Sequence, residues 1–110
     1  MESFRGKIGV VTGGGTGMGR ELVHQLAKDG CRVAMCDVIQ ENLEESFALT
    51  SKEFPDVRIT THICDVSIEE DVIRFKSEVL EQHETETINL LFNNAGIGGG
   101  ASFIESSREE

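Results

Sequence analysis

The stretch from Thr12 to Gly19 reads TGGGTGMG, and it joins an apolar run, Ile8 to Val11, to a helical pattern that starts near Met18. A strand, a glycine-rich turn and a helix in that order constrain the chain more than any other segment. The first backbone N–H groups of a helix lack intrahelical partners and carry roughly half a positive charge. A pyrophosphate can dock on them if no side chain blocks its approach, and glycine removes the block. Glycine clusters also serve as plain strand-to-helix turns that need positive φ, and as other nucleotide loops. The residues around the turn must therefore decide what it holds.

A chain of 110 residues allows one domain or part of one, and 38% hydrophobic with 27% charged residues is ordinary for a soluble globular chain. No segment has the length and apolarity of a bilayer span, and Met1 to Arg5 contains no apolar signal-peptide core. A cytoplasmic protein without a membrane partner is expected. Cys31, Cys36 and Cys64 are odd in number and lack CxxC spacing, which points to small buried hydrophobes instead of a disulfide framework or a zinc site. Met18 and Met35 read as packing residues, with the backbone at Met18 of separate interest.

The formal charge of −10 is unevenly spread. Residues 1–40 carry five Lys/Arg against four Asp/Glu, a net +1, while residues 41–110 carry five against sixteen, a net −11. The glycine loop thus lies in the near-neutral part. An acidic remainder argues against a nucleic-acid partner, which calls for a basic face.

Strand and helix signals alternate along the whole chain. Met18, Leu22 and Leu26, with Val23 and Ala27, form an apolar stripe at helical spacing that Gly30 closes. Arg32 to Cys36 reads as a second strand ending at Asp37. A second helix is predicted from about Gln40 to Glu53, with Leu43, Phe47 and Thr50 or Phe54 turned inward before Pro55. Val57 to Ile63 has the β-branched alternation of a third strand. Ser67-Ile68-Glu69-Glu70 has capping-box spacing and predicts a third helix to about His83, burying Val72, Phe75, Val79 and Leu80. Ile88 to Phe92 reads as a strand covered on both faces.

Alternation of this kind predicts an α/β chain with a parallel sheet and right-handed crossovers. If the strands step outward and the fourth returns beside the first, the order is 3-2-1-4. The first two helices then cover one face and the third covers the other, a Rossmann-like doubly wound sheet, truncated after its fourth strand. This order opens a crevice at the carboxyl ends of strands one and four, where the glycine loop lies.

Asp37 ends the second strand. An acidic side chain there can accept hydrogen bonds from both ribose hydroxyls of an adenosine while repelling a 2′-phosphate; a turn or capping role is the alternative. Val38 offers no positive charge to attract NADP, so NAD is the favoured cofactor. Asp65 ends the third strand, where it can accept from an adenine amino group while Val66 packs on the ring, or serve the turn into the third helix. His24, His62 and His83 are scattered and have no ligand spacing, so they read as surface or core residues and no metal site is expected. Ser102, Ser106 and Ser107 have no general-base partner nearby in sequence.

Two other phosphate loops fail on the letters. A GxxxxGK[ST] pattern starting at Gly14 reaches Gly19 and then meets Arg20-Glu21, without the lysine and hydroxyl that NTPase chemistry needs. GxGxxG fails in register, since Gly13 and Gly15 lead to Met18 and Gly15 and Gly17 lead to Arg20. The spacing present is TGxxxGxG.

Thr12-Gly13-xxx-Gly17-x-Gly19, Asp37, Asp65-Val66 and Asn93-Asn94-Ala95-Gly96, in that order, resemble the short-chain dehydrogenase/reductase family. The resemblance runs through nearly the whole chain. It implies that residues 1–110 are a partial NAD(P)-binding domain in which the backbone of Gly13, Gly15, Thr16, Gly17, Met18 and Gly19 wraps the pyrophosphate. Asp37, with Val38 beside it, would hold the adenine ribose, and Asp65 with Val66 would line the adenine. Asn93 would tie the fourth strand to its neighbours through Thr12, and Asn94, Ala95 and Gly96 would border the cofactor's ribose.

Family catalysis uses a Ser and a Tyr-x-x-x-Lys pair, and this sequence contains no tyrosine. Residues 106–110 look like the opening of a further helix. The chain therefore reads as the NAD-binding portion of a longer oxidoreductase, acting on a small alcohol or carbonyl substrate and forming homo-oligomers, and is itself expected to be inactive and loosely packed. A non-catalytic NAD-binding or regulatory module is the second reading. A methyltransferase is the third, opposed by Thr12 and the NNAG run. Gly98-Gly99-Gly100 reads as a substrate-side rim or a plain linker.

Overall fold

The computed structural model describes residues 5–94. Four strands and three helices alternate: β1 (Ile8–Thr12), α1 (Gly17–Lys28), β2 (Arg32–Asp37), α2 (Gln40–Glu53), β3 (Ile59–Ile63), α3 (Glu69–Gln82) and β4 (Leu90–Asn93). All strand pairs are parallel and the order is β3-β2-β1-β4, the doubly wound arrangement expected from the alternation. Thr12 stands opposite both Cys36 and Asn93, so the ends of β1, β2 and β4 are level with the glycine loop.

Alternation along the strands divides the core in two. Ile8, Val10, Ala34 and Cys36 face α3 and pack on Val72, Phe75 and Val79. Val11, Val33, Met35 and Ile59 face the other way, onto Val23, Leu26 and Ala27 of α1 and Leu43 of α2. Strands buried on both faces read as continuous apolar runs, which is why β1 and β2 show little polar alternation. The residues of β4 are each only half-buried, contrary to the expected covering of both faces. Within the described residues β4 pairs with β1 alone and is an edge strand.

Four local expectations are corrected. Met18 is 72% exposed, because Gly19, Val23, Leu26 and Ala27 make the inward stripe of α1 and leave the preceding position outside it. Phe47 faces solvent, whereas Ser46 is fully buried with Leu43 and Thr50. Ser67 does not cap α3: Ile68 occupies the N-cap position, and the Ser67 amide and hydroxyl both donate to Asp65 Oδ1. The third strand begins at Ile59, two residues later than its β-branched run, because Val57 N–H is already bonded to the Phe54 carbonyl in the turn after α2.

Candidate cofactor-binding site

The glycine loop brings β1 against the start of α1. Thr16 is the N-cap in an extended conformation, with no side-chain cap bond, and the first turn carries no acidic residue. The helix amides that an anion would use are therefore not opposed by a carboxylate on the same turn. Gly19 lies directly behind the loop. A Cβ at this position would fall 1.8 Å from the Gly13 carbonyl oxygen, so only glycine lets the helix approach so closely.

The loop is held from several directions. Gly14 N–H donates to the Cys36 carbonyl at 3.0 Å, and Gly15 N–H donates to Asp37 Oδ2 at 3.0 Å. Asn94 Nδ2 donates to the Gly13 carbonyl at 3.3 Å, and Thr12 Oγ1 donates to Asn93 Oδ1 at 3.0 Å. The tie between Asn93 and Thr12 implied by the family resemblance is thus present as a contact.

Ser46 and Arg20, neither singled out in the sequence, complete the support. The Ser46 hydroxyl lies 2.8 Å from the Gly14 carbonyl and 2.9 Å from the Gly15 carbonyl, and it accepts a bond from Arg20 Nε at 2.8 Å. The Arg20 guanidinium also donates to the Gly15 carbonyl and to Glu45 Oε1. A small polar residue at an inward position of an apolar helix stripe was the available signal for Ser46.

Beside the loop lies a cavity of about 340 Å³ lined by Gly13, Thr16, Cys36, Asp37, Val38, Cys64, Asp65, Val66 and Asn94. Seven of these nine are residues to which the sequence points; Cys36 and Cys64, expected as buried hydrophobes, are buried and line the cavity as well. Gly15 sits against Asp37, Gly17 and Met18 are exposed at the helix start, and Gly19 is buried beneath them. Ala95 and Gly96 lie outside the described residues, as do Gly98 to Gly100 and Ser102, Ser106 and Ser107.

The chemistry of the lining is mixed. Asp37 Oδ1 accepts from Val38 N–H at 2.7 Å and from Ile39 N–H at 3.4 Å while Oδ2 accepts from Gly15 N–H, which fixes the carboxylate at the mouth of β2 and leaves a lone pair of Oδ2 for a further donor. The Ser67 hydroxyl and amide hold the Asp65 carboxyl below the usual carboxylate range, so it is an acceptor at neutral pH. Between the two carboxylates the Cys36 and Cys64 thiols share a hydrogen bond, which raises the pKa of Cys36 and lowers that of Cys64. Two fixed acceptors, an apolar wall at Val66 and a helix N-terminus suit a nucleoside with an anionic tail.

The histidines stand apart from this cavity. His24 bonds Glu53, and His62 of β3 and His83 after α3 are buried, both on Thr60 Oγ1. His62 Nδ1 also meets Glu78 Oε1 at 2.8 Å.

The model of the short chain dehydrogenase family matches residues 7–110. Levodione reductase from Leifsonia aquatica is 36% identical over 103 residues, covering 94% of this chain and 38% of the reductase. A crystal structure of levodione reductase superposes with a TM-score of 0.80, covering 86% of this chain and 36% of that one. NAD+-bound xylitol dehydrogenase is 34% identical with a TM-score of 0.79, over 87% of this chain and 35% of the other. A metagenomic short-chain oxidoreductase in complex with NADP is 29% identical with a TM-score of 0.76, over 88% and 42%. The chain thus spans between about a third and two-fifths of the length of these proteins. With the family model matching almost from end to end and the glycine loop, sheet order and strand-end carboxylates all in place, the chain belongs to the short-chain dehydrogenase family.

Proposed function

We infer that this chain is the NAD-binding portion of an oxidoreductase that transfers hydride between NAD(H) and an alcohol or carbonyl substrate. The observation that carries the reading is the Asp37 carboxylate, fixed on the glycine loop by Gly15 N–H and exposed to the cavity beside it. NAD, when bound, accepts or supplies the hydride; the protein binds and orients it. The backbone from Gly13 to Gly19 wraps the pyrophosphate, and the amides at the uncapped start of α1, Gly17, Met18 and Gly19, receive it, those of Gly14 and Gly15 being taken by the Cys36 carbonyl and Asp37. Asp37 accepts from the ribose hydroxyls, Val38 packs beside them, and Asp65 and Val66 flank the adenine. Asn94, Ala95 and Gly96 border the next ribose.

NAD is favoured over NADP because a 2′-phosphate brought to Asp37 meets a carboxylate, and Val38 beside it supplies no compensating cation. Solved relatives include complexes with NAD+ and with NADP, so the preference rests on Asp37 itself. A sequence without tyrosine supports cofactor binding without turnover by these 110 residues, with catalysis and oligomer formation belonging to further chain. A non-catalytic NAD-binding module is the second reading, favoured by the same missing tyrosine. Among the described residues no helix is long and apolar enough to cross a membrane. We place the protein in the cytoplasm with a small-molecule substrate.

Calorimetric titration with NAD, NADP and S-adenosylmethionine tests the reading. NAD should bind about tenfold or more tightly than NADP, a difference of at least about 1.4 kcal/mol, and Asp37→Ser should narrow that ratio. Saturable binding of S-adenosylmethionine in place of either dinucleotide would overturn it. NADH formation from a panel of secondary alcohols should be absent for the chain alone, and turnover would show that these residues suffice for chemistry.

A further inference from the structure

The two peptide units between Gly14 and Thr16 are held on both sides. Their N–H side belongs to Asp37: Gly15 N–H donates to Oδ2 at 3.0 Å. Their carbonyl side belongs to two helices. Ser46 from α2 shares its hydroxyl proton between the Gly14 and Gly15 carbonyls, and the Arg20 guanidinium from α1 gives the Gly15 carbonyl a second, charged donor. The Ser46 oxygen accepts from Arg20 Nε, so the two side chains form one relay. Ser46 is fully buried, and Glu45 holds the outer edge of the guanidinium at 3.3 Å. Gly15 has no room to adjust, because a Cβ there would lie 2.7 Å from both Asp37 Oδ2 and the Asn42 Cβ.

A peptide unit is planar, so fixing its carbonyl fixes the direction of the neighbouring N–H groups. We propose that Arg20 and Ser46 are positioning residues that set NAD-over-NADP selectivity, by clamping the Gly14 and Gly15 carbonyls so that Gly15 N–H keeps the Asp37 carboxylate aimed into the cavity. Without the clamp the loop peptides can rotate and Gly15 N–H leaves Oδ2; the carboxylate, then held only through Oδ1 by the Val38 and Ile39 amides, can turn Oδ2 from the place where it accepts from ribose hydroxyls and repels a 2′-phosphate. Charge-assisted bonds to buried carbonyls are the stronger kind, and a buried carbonyl left without its donor drives such rotation. The inference rests on the NAD-binding reading and adds to it two residues that do not themselves line the cavity.

The test measures NAD and NADP dissociation constants by calorimetry for the wild-type chain, Ser46→Ala, Arg20→Lys, Asp37→Ala and the Asp37→Ala/Ser46→Ala pair, well below each thermal midpoint. Ser46→Ala should weaken NAD about tenfold, as expected for one lost positioning bond, and leave NADP nearly unchanged, so that the selectivity ratio falls. Arg20→Lys keeps the charge but loses the fork that reaches both Ser46 and Gly15, and it should move the ratio in the same direction. In the Asp37→Ala background Ser46→Ala should add little, because its effect passes through Asp37. A lower melting temperature with an unchanged ratio in both single variants would make the relay merely structural and overturn the proposal. Equal losses from Ser46→Ala with and without Asp37 would also overturn it. If Ser46→Ala does not fold, Arg20→Lys alone decides. Failure of wild type to bind either dinucleotide is a separate result, and it would refute the NAD-binding reading instead.

Discussion

Adding one methyl group at Gly19 tests the close approach of α1 to the glycine loop. In Gly19→Ala the new Cβ would sit 1.8 Å from the Gly13 carbonyl oxygen, 2.7 Å from its carbon and 2.9 Å from Asn94 Nδ2. Since Cβ atoms essentially never approach within 3.0 Å, the helix and loop must part by at least 1.2 Å (3.0 − 1.8). The obstacle is backbone, so no side-chain rotation relieves it. Helix propensity opposes the damage, because alanine is better than glycine by about 1 kcal/mol in a helix interior. Overpacking of this kind costs about 1–3 kcal/mol or more, and a forced backbone shift places the cost at the upper end. We expect a net loss of about 2 kcal/mol, on the order of 10 °C in melting temperature for a chain of this size.

Binding should suffer more than stability. A displacement of about 1 Å in a preorganised site costs on the order of 100-fold, and the Gly13 carbonyl that must move is the one tied to Asn94. Gly6→Ala is the control. Gly6 has φ +83° with nothing within 4 Å of an added Cβ, and it precedes β1 at the end away from the loop, so it should cost about 1 kcal/mol of strain and leave NAD affinity untouched. Thermal melts and NAD titrations of both variants supply the readout. Gly19→Ala with wild-type affinity and melting temperature would refute the reasoning.

Two further outcomes concern the scaffold. Burial first, then the charges of Arg32, His62 and Arg58, lowers the pKa of His83 to about 4, and His83 is fully buried. The folded-state value lies below the ordinary 6.5, so the stability this neutral histidine contributes is complete above pH 6.5 and is lost as pH falls towards 4. The loss is at most about 3 kcal/mol. Urea midpoints for wild type and His83→Gln at pH 7.5, 6 and 5 should show a steeper decline for wild type, and parallel declines would contradict the assignment. Thr12→Val keeps shape but removes the donor to Asn93 Oδ1 and should cost about 1–2 kcal/mol in denaturant unfolding; an unchanged midpoint would show that the β1–β4 tie carries no weight.

Much of this architecture is readable in the letters because burial imposes period. Ile8 and Val10 face α3 while Val11 faces α1, and a strand apolar on both sides bounded by glycines admits few other placements. Gly30, at φ +84°, closes α1 as its position suggested. Residues whose surroundings come from distant segments are less legible. Met18 has the right spacing for the core but lies outside the buried stripe of α1, and the apolar character of Phe47 says nothing of the loop carbonyls that require Ser46 at the inward position instead. Ser67 has capping-box spacing, yet Asp65 lies closer and takes its hydroxyl. In the site, the strand-end residues were visible because topology brings strand ends together. The Arg20–Ser46 relay was not, because it depends on how two helices pack.

The central claim is that the glycine loop and Asp37 receive NAD. Glycine amides resonate in a sparse region of a 15N-correlated NMR spectrum and can report on this directly. On titration with NAD, Gly13, Gly14, Gly15, Gly17, Gly19 and the Asp37 amide should shift and saturate together, while Gly6 and Gly30, at the other end of the sheet, stay in place. Saturable shifts confined to Gly6 and Gly30, or no saturable shift in the loop, would contradict the account.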